Sequence, residues 1–275
     1  MSHRRSAIPS IIVAVVACLW LAPLAWLALS AFKSRADIVA MPPKLVFSPK
    51  LENFRWSYNG LNPADLAVNS LVVSGISALA VTILAVFAGD ALRKARERMR
   101  RELFWLVLST RMAPGAVLSV PLFTLLTWVD LRGTHAAVIL AHCTLNLPLG
   151  IWLMWRGFAR VPLRMEFAAR VDGASPRVAW CTTTLPLVLP SVVATFLLSF
   201  VFSWNEYTLS SLLSSSSSRP LVTAFPTFVA QGISQWGWFS AIGAISIVPA
   251  FVLAFVLAGT LTRAVSPRSA GRGQI

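Results

Sequence analysis

Five polar or aromatic residues stand within or at the ends of long apolar stretches, and their side chains could bind a polar molecule. They are Arg111, Asn146, Trp204, Asn205 and Glu206. Ionisable groups are costly inside a bilayer and usually mark functional sites there. Amide and carboxylate groups could hydrogen-bond a polyhydroxylated solute, and an aromatic ring could stack on its apolar face. We therefore treat the five as candidates for a solute pathway.

Each candidate also has a purely structural interpretation. Arg111 could extend its side chain to the lipid headgroups. Asn146 could join two helices by a hydrogen bond. Trp204 could anchor a helix at the membrane interface, with Asn205 and Glu206 as exposed neighbours. We expect His142, which lies in another apolar stretch, to be a hydrogen-bonded structural residue.

Residue types that support catalysis or metal binding lack a suitable pattern. Cys18, Cys143 and Cys181 all lie in apolar runs without metal-ligand spacing, so we interpret them as small buried residues. No apolar stretch contains paired carboxylates, and the chain has no Gly-x-x-x-x-Gly-Lys loop for a nucleotide. We expect no metal, no cofactor and no enzymatic reaction on this chain.

A polar segment, Val161–Ser175, interrupts the apolar sequence between two long hydrophobic stretches. Pro162 suits a helix start, and Leu163, Phe167, Ala168 and Val171 recur at helical spacing. Gly173 favours a turn. Ser175 and Pro176 are typical of a second helix start. The segment is predicted to form two short helices around a turn, for docking a partner or lying on the headgroups.

Composition places the whole chain in a membrane. Of its 275 residues, 56% are hydrophobic and only 12% are charged, about half the charged share of soluble proteins. The formal net charge of +14 is explained by basic loops of a membrane protein rather than by nucleic-acid binding.

Six stretches are long enough to cross a bilayer, which requires about 20 apolar residues per helix. They are residues 8–32, 66–89, 103–128, 135–155, 179–204 and 238–262. The sequence predicts an all-α integral membrane protein with both termini on one side. Residues 220–237, rich in Pro, Gly, Gln and Ser, are predicted to form a loop.

Positive charge gives the orientation. The N-terminus, the 90–102 and 156–178 loops and the tail together carry 16 Lys and Arg residues, against 7 in the other loops. The basic side of a membrane protein faces the cytoplasm. We therefore predict cytoplasmic termini and a cytoplasmic Val161–Ser175 segment.

Several stretches, in order, resemble the permease subunit of a bacterial carbohydrate-uptake ABC importer of the maltose-permease type. They are Met41-Pro-Pro, Leu51-Glu-Asn-Phe54, Asn69-Ser-Leu-Val-Val-Ser74, Asn146-Leu-Pro-Leu-Gly-Ile-Trp152, Ala168-Ala-Arg-Val-Asp-Gly-Ala-Ser175 and Ser203-Trp-Asn-Glu-Tyr207. The resemblance covers residues 7–262 and implies a type I importer transmembrane domain with six helices.

The resemblance also implies partners and a location. Such a permease is a half-channel of the bacterial inner membrane that pairs with a second, commonly different, permease. Two cytoplasmic ATPase subunits bind the ATP, and an extracytoplasmic binding protein delivers the solute, here expected to be a sugar or polyol. Alternatives are a non-sugar solute handled by the same architecture, or an ion-coupled secondary transporter, for which intramembrane acids are lacking.

The family's ATPase-docking motif, the EAA loop, matches within residues 156–178. It places the docking contacts at Glu166, Phe167, Ala168, Ala169, Asp172, Gly173 and Ala174. One departure is Phe167, which stands where the family has an acidic residue, with Glu166 one position earlier. Another is Gly89-Asp90, where the second helix often ends with an aromatic residue.

The chain is thus expected to divide into three parts. Residues 1–64 form the first helix and an external loop, residues 65–262 form the permease core, and residues 263–275 form a cytoplasmic tail without an assigned role.

Overall fold

The computed structural model describes residues 7–55, 62–112, 115–230 and 235–265, and within these ranges the chain is helical without an extended strand. The α-helices of the described part are α1 Ala7–Ser30, α2 Arg35–Ile38, α3 Pro63–Lys94, α4 Glu97–Arg111, α5 Gly115–Trp128, α6 His135–Phe158, α7 Leu163–Val171, α8 Pro176–Ala179, α9 Leu185–Trp204, α10 Thr208–Leu213, α11 Phe225–Ala230 and α12 Trp236–Val265.

Five helical stretches of the described part are long and apolar enough to cross a membrane. They are Ile11–Ser30, Pro63–Lys94, His135–Phe158, Pro176–Trp204 and Trp236–Leu253, and α5 is a shorter apolar helix of 14 residues. The prediction of an all-α membrane protein is confirmed.

The expected third span, residues 103–128, is not one helix. α4 ends at Arg111 and α5 begins at Gly115. Pro114 lies between them in the sequence; it has no backbone N–H to donate and disfavours helical geometry at the residue before it. α5 is therefore only about 21 Å long, against roughly 30 Å of bilayer core.

Two expected loops contain helix. The basic 90–102 segment forms the end of α3 and the start of α4, and ion pairs at helical spacing join Asp90 to Arg93 and Arg98 to Glu102. The expected 220–237 loop contains a 3₁₀ turn at Leu221–Ala224 and then α11.

The described residues form two compact units. The first contains the described residues up to 65 together with residues 224–248, and the second contains residues 66–223 together with residues 249–265. In the first unit, Asn53 donates from Nδ2 to the carbonyls of Ala31 (2.9 Å) and Lys33 (2.8 Å). The buried Lys33 ammonium lies 3.9 Å from the Trp26 ring centroid. These contacts fix the chain that follows α1.

The second unit is built on α3, α6 and α9. One core cluster joins Ala85, Met154, Phe158 and Val188 from these helices. A Cβ at Gly89 would lie 2.8 Å from both the Cβ of Met154 and the backbone N of Trp155. α3 and α6 can therefore approach closely only because residue 89 lacks a side chain. A larger side chain at residue 89 would collide with α6, which accounts for the glycine at this position.

Candidate functional site

The Val161–Ser175 segment folds as its sequence predicts. Pro162 precedes α7, and Gly173 adopts φ +96°, a conformation open to glycine without strain. The Ser175 hydroxyl then accepts a hydrogen bond from the N–H of Val178, and Pro176 is the first residue of α8. Two short helices around a glycine turn are confirmed.

The second short helix leads directly into a membrane-length helix. α8 passes into a π-helical turn at Trp180–Thr184, which passes into α9. Pro176 to Trp204 is thus one continuous helical rod. A force applied at the loop would reach the membrane-spanning part without an intervening flexible joint.

One face of α7 is open. Arg164, Phe167, Ala168 and Val171, at positions i, i+3, i+4 and i+7, are all exposed. Phe167 and Val171 have 57% and 87% of their surface free, although both are apolar. An exposed apolar patch on a structured helix indicates an interaction surface. Leu163, expected on the same face, is partly buried instead.

The opposite face of α7 is held by four charged residues that we call the anchor cluster: Asp90, Arg93, Lys94 and Glu166. Arg93 Nη2 lies 2.7 Å from Asp90 Oδ1 and 2.9 Å from Glu166 Oε2. Lys94 Nζ lies 2.7 Å from Asp90 and 3.4 Å from Glu166. The Arg93 side chain is only 4% exposed, so these are shielded ion pairs.

Neighbouring side chains extend the anchor cluster into the rod. Trp180 Nε1 donates to Asp90 Oδ2 (3.2 Å), and Thr184 Oγ1 donates to Glu166 Oε2 (3.3 Å). Both donors belong to the π turn. The cluster therefore joins the end of α3, the loop helix α7 and the start of the rod.

This geometry defines the surroundings of Glu166. The sequence placed Glu166 among the docking contacts, one position before the family's acidic residue; its side chain is 13% exposed and paired with Arg93 within the chain, and its contact with an ATPase stays a prediction. The other expected docking residues differ in exposure: Phe167, Ala168, Asp172 and Gly173 are exposed, and Ala169 and Ala174 are partly buried. The sequence pattern does not identify Arg93, Trp180 or Thr184 as part of this site; the spacing of Asp90 and Arg93 is the one local signal of the cluster.

A second polar cluster lies at the other end of α9. His142 Nδ1 is 2.6 Å from Ser203 Oγ, and its Nε2 is 3.1 Å from Ser210 Oγ and 3.3 Å from Glu206 Oε2. Ser203 also lies 2.9 Å from Ser77. His142 is completely buried. The expectation that it is a satisfied structural residue agrees with these contacts.

Glu206, a candidate for the solute pathway, forms its contacts within this cluster. Its carboxylate accepts hydrogen bonds from the N–H groups of Leu209 (2.9 Å) and Ser210 (3.1 Å), at the start of α10. Burial acts to raise the pKa of Glu206. The hydrogen bond and charge of His142 and the two N–H donors outweigh burial, so the pKa is held below its ordinary value.

The neighbours of Glu206 show two orientations. Trp204 is 6% exposed and stacks on Phe200 with ring centroids 5.8 Å apart, so its ring is not free to stack on a solute. Asn205 is exposed and donates to the Val201 carbonyl (2.8 Å). Of this trio, only Asn205 presents its surface to the outside of the chain.

The remaining pathway candidates lie elsewhere. Asn146 is buried in α6, with 4% of its surface exposed. Arg111 is the last residue of α4, and its side chain lies outside the described part. No group of three or more His, Cys, Asp or Glu side chains in the described ranges could hold a metal ion.

The chain is similar in sequence to a family of transport proteins. Residues 81–268 match the family described as binding-protein-dependent transport system inner membrane component. A relative in Sinorhizobium fredii, probable ABC transporter permease protein y4oR, is 30% identical, with 88% of this chain and 87% of that protein aligned. The trehalose transport system permease protein SugB of Mycobacterium tuberculosis is 28% identical over 96% of this chain and 99% of that protein.

A solved structure has the same fold. The crystal structure of a bacterial ABC transporter involved in the import of the acidic polysaccharide alginate superposes with a TM-score of 0.73 at 19% identity, covering 94% of this chain and 99% of that one. The family match includes the docking loop, the anchor cluster and, of the second polar cluster, His142, Ser203, Glu206 and Ser210. The chain belongs to the family of inner-membrane components of binding-protein-dependent transport systems, and it is an ABC importer permease.

Proposed function

We propose that this permease forms one half of the channel of an ATP-driven importer, and that it passes a sugar, polyol or related carbohydrate delivered by an extracytoplasmic binding protein. The relatives support the solute class. Besides the trehalose permease, the melibiose/raffinose/stachyose import permease protein MelC of Bacillus subtilis is 25% identical over 92% of this chain. The other half of the channel is a second, different permease.

The open face of α7 carries the coupling part of this proposal. It presents Phe167, Ala168 and Val171 to the outside, while the anchor cluster fixes the opposite face to the end of α3. An ATPase subunit bound there would move the continuous rod from Pro176 to Trp204. ATP binds to that partner, two copies of which serve the two permeases, and this chain holds no cofactor.

The orientation follows from the position of the basic residues. The 90–102 and 156–178 segments meet through Arg93 and Glu166, so they lie at one end of the second unit. Together they carry 11 Lys and Arg residues. Basic segments face the cytoplasm. With the shorter helix α5 taken as the sixth crossing, the two termini lie on one side and are then cytoplasmic as well.

Gentle purification of the tagged chain from its native membrane tests the proposal. We expect mass spectrometry to identify an ATPase with a nucleotide-binding loop and a second permease, and Phe167→Asp to lose the ATPase while keeping the permease. The matched control is Leu51→Asp, which places the same charge at an exposed apolar residue outside α7. Recovery of wild-type chain alone, in detergents that preserve such complexes, would contradict the proposal.

The solute class needs its own experiment. The binding protein required for uptake should be isolated without dialysis and its bound solute identified by mass spectrometry. A carbohydrate, together with loss of its uptake when this permease is deleted, is the expected result. An amino acid or peptide in the binding protein would be compatible with an importer but would overturn the assignment of a carbohydrate as its solute.

A further inference from the structure

The open face of α7 carries positive charge beside its apolar patch. Arg164 belongs to that face one helical turn before Phe167, and Arg170 lies at its edge one turn after Phe167; both arginines are exposed. The guanidinium carbon of Arg170 lies 6.0 Å from the centroid of the Phe167 ring, within the range of a cation–π contact. An exposed aromatic ring is thus flanked along the helix by two cations.

These two cations have no acidic partner within the described part of the chain. Glu166, which lies between them in the sequence, is held on the opposite face of α7 by Arg93 and Lys94. Asp172 is exposed beyond the end of α7. The segment has three further exposed arginines, which are Arg156, Arg160 and Arg177. The outer surface of residues 156–178 therefore has five positive charges against the one negative charge of Asp172.

The direction of the open face separates Arg164 from the lipid headgroups. On the inner face of α7, Glu166 contacts Arg93 at the end of α3 and Thr184 at the start of the rod. Both α3 and the rod are membrane-length helices, so the inner face is turned toward their ends and the open face is turned away from them. The excess of basic residues in cytoplasmic segments explains how many arginines the segment has. It does not explain why Arg164 lies on the face that points away from the membrane helices.

The charge of this face restricts the surface that can cover it. A partner that covers the Phe167 ring also removes water from the guanidinium groups of Arg164 and Arg170, and a charge that loses its water without gaining a counter-charge is costly. A guanidinium group pairs best with a carboxylate, which it can bind through two parallel hydrogen bonds. A partner surface with lysines or arginines at these two positions would be repelled.

We propose that the ATPase surface that receives α7 is an apolar pocket for Phe167 flanked by carboxylates, which pair with Arg164 and Arg170. This inference rests on the proposed docking of an ATPase on the open face and adds the chemistry of that partner. Arg164 and Arg170 then determine which ATPase this permease accepts, because like charges at these positions exclude other ATPases. Glu166, paired within the chain, takes no part in this selection.

Carbodiimide cross-linking of the complete complex tests the pairing, because this reagent joins an amine directly to a carboxylate that it contacts. Arg164→Lys and Arg170→Lys keep the charge and supply the amine. We expect mass spectrometry to find residue 164 or 170 joined to an aspartate or glutamate of the ATPase. Arg98→Lys, which faces Glu102 within the chain, is the positive control for the reagent. Met165→Lys, exposed on α7 but outside its open face, should not link to the ATPase.

The affinity of the complex gives a second measurement. Arg164→Gln should raise the dissociation constant of the ATPase about threefold, the size expected for one accessible ion pair, and Arg164→Gln with Arg170→Gln should raise it about tenfold. Added salt should weaken the wild-type complex more than that of the double variant, because salt screens the pairs. Both side chains are exposed, so these variants should keep the fold. Arg98→Gln, in α4, removes an exposed arginine outside the docking loop and should bind the ATPase like wild type.

Four outcomes would overturn the proposal in different ways. Wild-type permease that retains no ATPase would refute the docking itself, and with it this inference. An ATPase that remains bound with wild-type affinity to Arg164→Glu with Arg170→Glu, without cross-links, would leave the docking intact and refute the acidic surface. Cross-links from residue 164 to the second permease would assign the face to that subunit. Loss of bound phospholipid from the double variant, at unchanged ATPase affinity, would assign the arginines to lipid headgroups.

Discussion

Glu166 and Arg93 are 73 positions apart in the sequence and form an ion pair of 2.9 Å. Arg93 belongs to α3, and Glu166 belongs to the loop helix that carries the docking face. The pair fixes the inner face of α7, so that Phe167, which directly follows Glu166, and Val171, five positions after it, face outward. Five predictions test this arrangement, the second polar cluster and the crossing of α3 and α6.

Removal of Arg93 should destabilise the protein strongly. Among the described residues, Arg93→Ala leaves Asp90 and Glu166 with Lys94 as their remaining cation, and breaking a shielded ion pair from one side costs about 3 kcal/mol. The measurement is the free energy of unfolding in mixed micelles. The control is Arg98→Ala, whose partner Glu102 and own side chain are largely exposed; it should cost under about 1 kcal/mol. Equal effects of the two variants would refute the anchor cluster.

Gly173→Val should uncouple the loop while the membrane helices remain folded. A Cβ at Gly173 meets no atom within 4 Å, so the only obstacle is its φ of +96°. β-Branched residues are strained in that region. Uptake and ATPase co-purification should both fall. Gly75→Val is the matched control, because Gly75 also has open space but lies within α3. Normal uptake by the Gly173 variant would count against docking through this loop.

Glu206→Ala should lower stability more than it changes apparent affinity for the solute. The variant removes the acceptor for Leu209 and Ser210 at the start of α10, worth about 1–2 kcal/mol by analogy with helix caps. Unfolding and uptake kinetics should both be measured, with Asn205→Ala as the exposed neighbouring control. A large rise in KM for uptake at unchanged stability would indicate that Glu206 contacts the solute.

The free energy of unfolding should decrease at acidic pH because of Glu206 in the second cluster. The pKa of Glu206 is lowered in the folded protein, so its carboxylate stabilises the fold above the ordinary value of 4.5. That stabilisation should disappear as pH falls below 4.5 and through the folded pKa. Unfolding midpoints across this range should show a smaller dependence in Glu206→Gln. Identical pH profiles would exclude this role of the carboxylate.

Gly89→Ala should loosen the crossing of α3 and α6. The added Cβ would lie 2.8 Å from the backbone of Trp155, a contact that only a backbone shift can relieve. Overpacking of this kind costs about 1–3 kcal/mol. Gly115→Ala is the control, since its nearest neighbour would be 3.9 Å away. A thermal midpoint equal to that of wild type would show that α3 and α6 can accommodate the added Cβ without loss of stability.

The parts of the fold that depend on local chemistry could be predicted from the sequence. Gly173, Ser175 and Pro176 specify a turn and a helix start by their own backbone preferences, and the structure has both. Pro114 carried a similar signal, and its effect on the third span could have been recognised. The apolar stretches around it masked that signal, because hydrophobicity alone does not distinguish one long helix from two.

The contacts within the candidate sites depend on residues far apart in the chain. Nothing near Glu166 indicates that its partner is Arg93, and nothing near Glu206 indicates His142. Trp204 was a candidate either for stacking on a solute or for anchoring the helix at the interface, and its ring stacks on Phe200 of the same helix. The direction of a polar side chain on a buried helix is decided by tertiary packing, which a single sequence does not display.

The π turn at Trp180–Thr184 holds one extra residue between the loop and the rod. A π-helical turn contains an extra residue relative to an α-helix, so helical faces counted through it in steps of 3.6 become misaligned. A π turn completes roughly one revolution with one residue more than an α turn, so deleting one residue there would return the turn to α geometry and leave α8 at nearly the same angle to α9. The docking loop would keep both its shape and its direction. The rod could thus lose the extra residue in this turn without re-aiming the docking surface.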